Sequence, residues 1–274
     1  MTINCKGNLI DLSSPKVMGI LNITPDSFYD GGKYKNESEI LSRVEKMMRD
    51  GVDLIDLGAY SSRPGAKDVT TEEELFRSVP VTELIVKNFP ETIISIDTFR
   101  SQVAKENVLA GASIINDIAA GSLDAQMIPT VGKLQVPYIM MHMKQTPQDM
   151  QKHTEYQDIV KEMLYYFSEK VSEARSYGIN DLIIDPGFGF AKTLEQNYEV
   201  LNKLELFDIL ELPILVGVSR KSMIYKLLNS SPDEALNGTT VINTISLMKG
   251  ANILRVHDVK EAVEAVKIYN QLKD

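Results

Sequence analysis

The sequence predicts an α/β protein: a (β/α)8 TIM barrel in a single domain spanning residues 1–274. Three observations predict it. Short apolar runs recur about eight times at wide, fairly even spacing. Charged segments with helical periodicity separate them. No Pro/Gly-rich linker or shift in composition divides the chain.

The apolar runs are Val17–Ile23, Leu54–Leu57, Ile93–Ile96, Ala112–Ile115, Tyr138–Met141, Leu182–Ile184, Ile214–Val218 and Ile253–Val256. Each is short and rich in Ile, Val and Leu, as expected of strands buried on both faces. Between them, Glu37–Asp50 places Ile40, Leu41, Val44, Met47 and Met48 at helical steps, and Asp158–Ala174 does the same with Ile159, Met163, Tyr166, Phe167 and Val171. Val259–Leu272 repeats the pattern. Strand–helix alternation with right-handed crossovers gives an open doubly wound sheet or a closed barrel, and roughly eight units favour closure. Met1–Leu12 is read as a short N-terminal β-hairpin over the barrel bottom. Thr70 supplies a helix cap ahead of Glu72–Glu74, which reads as a solvated acidic first turn. Gly51 and Gly178 stand where left-handed C-caps belong, and Met47, Met48, Met127 and Met163 read as core.

Composition narrows the function classes. The net charge of −9 and the absence of Trp argue against a nucleic-acid binder, which needs a basic face or stacking platforms. No apolar run approaches the roughly 18 residues that span a membrane, and Met1–Leu12 lacks the features of a signal peptide. A single cysteine, Cys5, forms no internal bridge and is expected to be inert, which fits a reducing, cytoplasmic compartment. Three scattered histidines and one cysteine make no zinc-type site.

Barrel enzymes place their chemistry at the C-terminal ends of the strands. Reading there finds Asn22 and the stretch to Gly32, then Gly58 to Ala66 with Ser62, Arg63 and Pro64. Further on come Asp97, Asn116–Asp117, Met141–His142, Asp185 to Phe190, Ser219 to Ser222 with Lys221, and Arg255 to Asp258 with His257. Each polar residue alone has a plain structural reading: Asp97 as a helix cap, Asn116 or Asp117 as a turn closer, Lys221 as a helix start, His142 as a structural histidine. Their convergence at every strand end points to a binding rim. Asp97 and Asp185 accept hydrogen bonds, Lys221 donates, and Asn116 does both, a set that matches a flat heterocycle with an amino-amide edge. Arg63, Arg255 and His257 form a separate cationic group suited to phosphate.

At these residues the chain resembles the dihydropteroate synthase family of pterin-binding enzymes, over almost its whole length. Asn22–Gly32 resembles the family's first signature loop and Asp56–Ala66 the second. In the second, Ser62 stands for the usual Thr, and Ala59–Tyr60 for a commoner Gly-Glu pair. Asp185–Phe190, Ser219–Ser222 and Arg255–His257 match closely. The resemblance implies a transferase of folate biosynthesis and a sulfonamide target. The reaction implied joins 6-hydroxymethyl-7,8-dihydropterin diphosphate to 4-aminobenzoate. Asp97, Asn116, Asp185 and Lys221 would bind the pterin, with Met141 on its face, and Asn22 would ligate Mg²⁺ on the diphosphate. Ser62, Arg63, Arg255 and His257 would hold the diphosphate. Phe28, Arg63, Pro64, Phe190, Lys221 and Ser222 would surround aminobenzoate. Asp97, Lys221 and Arg63 are the catalytic candidates, and a homodimer is implied, with Ala235–Lys249 and Val259–Leu272 as plausible surfaces. Three rivals stand beside this reading: a pterin-dependent methyltransferase barrel, an aldolase using Lys221 as a Schiff-base lysine, and a non-catalytic pterin binder. The diphosphate loops, borohydride trapping and turnover discriminate them in that order.

Overall fold

A computed structural model of the chain describes residues 1–23, 33–60, 69–146 and 149–272. The chain opens with β1 (Thr2–Cys5) and β2 (Asn8–Asp11), which pair antiparallel as the expected hairpin. Lys6 and Gly7 between them both take positive φ, the geometry that a two-residue turn needs to match strand twist.

The barrel follows as β3 (Lys16–Asn22), α1 (Lys33–Arg49), β4 (Leu54–Gly58), α2 (Thr71–Asn88), β5 (Ile93–Asp97), α3 (Ser101–Leu109), β6 (Ile114–Asp117), α4 (Met127–Leu134), β7 (Tyr138–Met141), α5 (Ile159–Ser176), β8 (Leu182–Asp185), α6 (Leu194–Asn202), β9 (Leu215–Val216), α7 (Ser222–Tyr225), α8 (Leu236–Met248), β10 (Ile253–Val256) and α9 (Val259–Asn270). All eight barrel strands are parallel, in the order β8-β7-β6-β5-β4-β3-β10-β9, and a parallel bridge between Ile184 and Ile214 joins the two ends. β9 is shorter than the apolar run suggests: Ile214 gives its N–H to the Asn252 side chain at 2.9 Å and not to a neighbouring strand, and the chain turns at Ser219. β6 starts later than its run because Ala112 still closes the preceding helix, donating to the Asn107 carbonyl.

The two faces of each strand do different work. Outward residues such as Ile55, Leu57, Ile94, Ile96 and Ile115 are fully buried against the helices. Inward, one residue from each strand builds an apolar floor: Met18, Leu54, Ile93, Ile114, Ile139, Ile183, Leu215 and Ile253. The hairpin's Ile3, Cys5, Ile10 and Leu12 seal it from below. Burial, then Asp181, pushes the Cys5 thiol up to about 12, so it is inert as expected. Among the described residues no helix is long and apolar enough to cross a membrane.

Thr70 caps α2 by accepting from the Glu73 N–H, and Gly51 and Gly178 take the expected left-handed conformation. Met47, Met127 and Met163 are core, but Met48 lies on the exposed side of α1. The acidic turn also departs from expectation. Glu74 is buried, not solvated, because the chain brings Thr98 and Arg100 onto its carboxylate.

The floor is expected to carry stability and not chemistry. Ile139→Ala should cost about 2–5 kcal/mol in urea unfolding, since the hairpin and seven other strands limit collapse of the cavity. A loss below about 0.5 kcal/mol would show a floor that is not close-packed.

Candidate active site

Because side chains alternate along a strand, the residue two positions beyond each floor residue faces the same interior. Those residues are Ile20, Asp56, Ser95, Asn116, Met141, Asp185, Gly217 and Arg255. An apolar floor thus gives way within one repeat to a layer rich in charge. Asn22, Gly58 and Asp97 stand a further repeat toward the C-terminal mouth.

Arg255 is the hub of this layer. Its Nε donates to Asp56 Oδ2 at 2.6 Å and its Nη2 to Asp97 Oδ2 at 2.6 Å. The Asn116 amide donates to the same Asp56 oxygen at 3.0 Å. Burial opposes the Arg255 charge, but Asp56 and Asp97 outweigh it and hold the guanidinium ionised. Burial pushes the Asp97 carboxyl up to about 7, with Arg255 working against the shift and Asp56 adding to it. Arg255 was expected in a cationic group apart from the carboxylates. It lies between them instead, because position 255 faces the barrel interior. His257 lies past the strand end and is exposed, with Ser219 Oγ 3.1 Å from its Nδ1 and also accepting from its backbone N–H.

The second half of the rim comes from the segments after β8 and β9. Asp185 accepts from the Gly187 N–H at 2.8 Å, and burial raises its pKa with Lys221 opposing. Lys221 donates to the Phe188 carbonyl and lies 4.6 Å from the centre of the Phe190 ring. Burial draws its ammonium down to about 8 against the pull of Asp185. It sits at the N-cap of α7 but makes no side-chain cap bond, so its side chain serves the rim and not the helix. Gly189 and Gly217 keep the Lys221 path open, since a Cβ at Gly189 would meet its Cδ at 3.2 Å. Ser222 follows at the start of α7, part-exposed.

Asn22 ends β3. A Cβ on Gly58 would stand 3.2 Å from its Oδ1 and 3.7 Å from Asp97 Oδ2, so the glycine leaves the space between them open. No cluster of three His, Cys, Asp or Glu suited to a metal occurs among the described residues. A single neutral oxygen at the mouth fits a hard cation that arrives with its phosphate and water ligands.

The structure brings together Asp97, Asn116, Arg255, Asp185, Lys221, Phe190 and Ser222, with Met141 and Asn22 on neighbouring strands. Phe28, Ser62, Arg63 and Pro64 lie outside the described residues. Asp97 is no helix cap, since Arg100 takes the N-cap position of α3. Asp117 is the turn closer, accepting from Ala119 and Gly121 N–H and from Tyr138 Oη. His142 is buried and structural. Two participants escaped the sequence reading. Asp56 is hidden inside an apolar run, and only its inward parity gave it away. Lys192 is buried behind the β8 segment, with no motif to mark it. The Tyr60 departure also gains a meaning. Its ring packs edge-on to Phe99 at 5.1 Å and lies 5.2 Å from the Arg100 guanidinium, which also donates to the Val69 carbonyl at 2.7 Å.

A closed parallel barrel whose mouth gathers carboxylates, an amide, a lysine and an arginine defines a pterin-binding barrel, and a family profile described as "Pterin binding enzyme" matches residues 18–257. The dihydropteroate synthase of Escherichia coli (strain K12) is 44% identical over 270 residues, spanning 98% of this chain and 95% of that protein. That of Bacillus subtilis (strain 168) is 41% identical over 258 residues, 93% and 88% of the two chains. Among solved structures, Yersinia pestis dihydropteroate synthase in complex with a sulfonamide drug aligns with a TM-score of 0.93 at 41% identity, covering 100% of this chain and 99% of that one. The Xanthomonas albilineans enzyme with 4-aminobenzoic acid aligns at 0.91 and 36%, covering 99% and 98%. The chain belongs to the dihydropteroate synthase family.

The folded Asp97 binds a proton more tightly than an unfolded carboxyl of ordinary pKa 3.8. Its contribution to stability is therefore greatest below about pH 4 and is lost as pH rises through about 7. Asp117 and Asp185 are shifted in the same direction. Asp97→Asn should make the decline in unfolding free energy from pH 4 to 7 shallower without abolishing it. An unchanged slope would mean that Asp97 titrates like an exposed carboxylate.

Proposed function

We propose that this chain condenses 6-hydroxymethyl-7,8-dihydropterin diphosphate with 4-aminobenzoate, giving 7,8-dihydropteroate and diphosphate. The observation that carries the reading is the interior ring of Asp97, Asn116, Asp185 and Lys221 around Arg255, in a barrel of this family. A carboxylate facing two parallel N–H groups is a strong match for an amino-amide edge. Asp97 and Asp185 supply carboxylates on opposite sides of the mouth, Asn116 an amide between them, and Met141 an apolar surface. The Phe190 ring beside the Lys221 ammonium, with Ser222 next in the chain, suits an aromatic acid. Ser62, Arg63, Phe28 and Pro64 take their roles from the family resemblance, Ser62 and Arg63 with Arg255 and His257 at the diphosphate.

In the reaction the bond from the pterin methylene carbon to the diphosphate oxygen breaks, a bond from that carbon to the aminobenzoate nitrogen forms, and the amine gives up a proton. Three carboxylates, Asp56, Asp97 and Asp185, face two cations, Arg255 and Lys221, across the interior. That balance favours positive charge building on the pterin as the leaving group departs. Mg²⁺, held through Asn22, would neutralise charge on the departing diphosphate. The aromatic amine is neutral at pH 7 and needs no strong base.

The finer calls follow the same reading. The enzyme works in the cytoplasm as a homodimer, whose contact draws on the exposed apolar Val241, Ile245 and Met248 of α8 and Ile268 of α9. Sulfonamides, which resemble 4-aminobenzoate, compete for its place.

Diphosphate release from the pterin diphosphate, with and without 4-aminobenzoate and Mg²⁺, tests the proposal. Release should require Mg²⁺ and yield dihydropteroate, and Lys221→Ala should lower kcat/KM by about 100-fold or more. Pterin binding with no product would leave a pterin-binding barrel with different chemistry.

A further inference from the structure

The segment from Gly187 to Lys192 supplies the site with more than its side chains, and its backbone is an unusual one. Gly187, Gly189 and Ala191 all take positive φ, the last without the freedom of glycine. Gly187 is pressed onto the end of β7: a Cβ there would fall 2.2 Å from the His142 carbonyl oxygen. Such a path turns carbonyl groups inward, where each needs a donor.

Lys192 answers that need. It is 3% exposed, and no carboxylate forms an ion pair with it among the described residues. Burial draws the group down to about 7 against the pull of Asp185; in its protonated form it has three N–H donors and meets three acceptors, the Gly187 carbonyl, the Phe190 carbonyl and His142 Nδ1, each at 3.1 Å. His142 accepts only with its ring proton on Nε2. Burial, then Lys192 and Lys144, keep the imidazole neutral. The ring is held edge-on by Tyr166 at 4.9 Å, and Tyr156 pins the strained residue by donating to the Ala191 carbonyl at 2.9 Å. Asn197 fixes the middle of the segment, accepting from the Gly189 N–H at 2.7 Å.

We propose that Lys192 is a positioning residue for the proposed reaction: seated on Gly187, Phe190 and His142, it sets the path that presents Asp185, the Phe188 carbonyl and the Phe190 ring to the substrates. Each of these depends on the path directly. The Gly187 N–H orients Asp185, the Phe188 carbonyl holds the Lys221 ammonium, and the Phe190 ring lies beside that ammonium. Lys192 acts through these groups and touches no reacting atom. The inference rests on the reading under Proposed function.

The test compares Lys192→Met, His142→Leu and His142→Asn with the wild-type enzyme, each assayed well below its own melting temperature. Lys192→Met keeps an unbranched apolar stem, one atom shorter, and removes the amine with its donors. His142→Leu removes the third acceptor, and His142→Asn restores an amide oxygen near the place of Nδ1. Displacing the segment should raise KM for 4-aminobenzoate and for the pterin diphosphate about tenfold or more in Lys192→Met, with kcat per folded enzyme also reduced, because small misplacements cost up to about 100-fold in rate. His142→Leu should show the same signature more weakly, and His142→Asn should recover most of that loss. Unchanged KM values, with only the yield of folded enzyme reduced, would overturn the proposal. So would equal losses in His142→Asn and His142→Leu. A wild-type enzyme that makes no dihydropteroate would instead overturn the proposed reaction, which separates the two failures.

Discussion

The ion cluster of Arg255 with Asp56 and Asp97 is the constraint on which the rest of the site depends. Charges inside a barrel cost several kcal/mol each unless paired and hydrogen-bonded. Here the cost is offset by placing one guanidinium where two carboxylates from neighbouring strands converge. Asp56 Oδ1 and Ser95 Oγ are buried without a hydrogen-bond partner among the described residues. The interior is therefore polar beyond what its own groups satisfy, a property that favours a flat, hydrogen-bonding ligand over an apolar one. Beneath the cluster lies the apolar floor, closed from below by the hairpin, so the ligand has a hydrocarbon layer to rest above.

Around that centre the loops are tied down by pairs that never meet the interior. After β9, Arg220 takes a left-handed backbone conformation and anchors by two parallel bonds of 2.8 Å to Asp258, which follows β10. After β4, the buried Glu74 holds Arg100, which holds Val69, while Arg77 reaches the Ala59 carbonyl at 3.4 Å. Tyr60, where the family resemblance has a commoner glutamate, sets its ring against the Arg100 guanidinium in a cation–π contact.

Much of this was legible in the sequence, and what was not has physical reasons. The eight apolar runs located the strands because both faces of a barrel strand are buried. The residues after each run located the rim because the chain direction fixes which end is the mouth. The ends of runs misled where a neighbour interfered: the Asn252 side chain took the Ile214 N–H at the start of β9, and the Asn107 carbonyl delayed β6. Arg255 was set apart from the carboxylates because charge type says nothing about parity. Counting two residues on from Ile253 places it inside, and the same count from Leu54 finds Asp56. Lys192 and Glu74 could not be found that way. Their burial follows from partners distant in sequence, His142 and Arg100, and a charged residue on a loop or first helical turn reads as solvated until those partners are known.

The central claim is that the carboxylates around Arg255 are the pterin site, and proton-linked calorimetry tests it most directly. Asp97, pushed up to about 7, is part-protonated in the free protein near neutral pH, and a pterin that donates N–H groups binds its ionised form. Titrating 6-hydroxymethyl-7,8-dihydropterin at pH 7 in buffers of different ionisation enthalpy should show net proton release, reduced in Asp97→Asn. Binding with no proton release, or release undiminished in Asp97→Asn, would contradict the account.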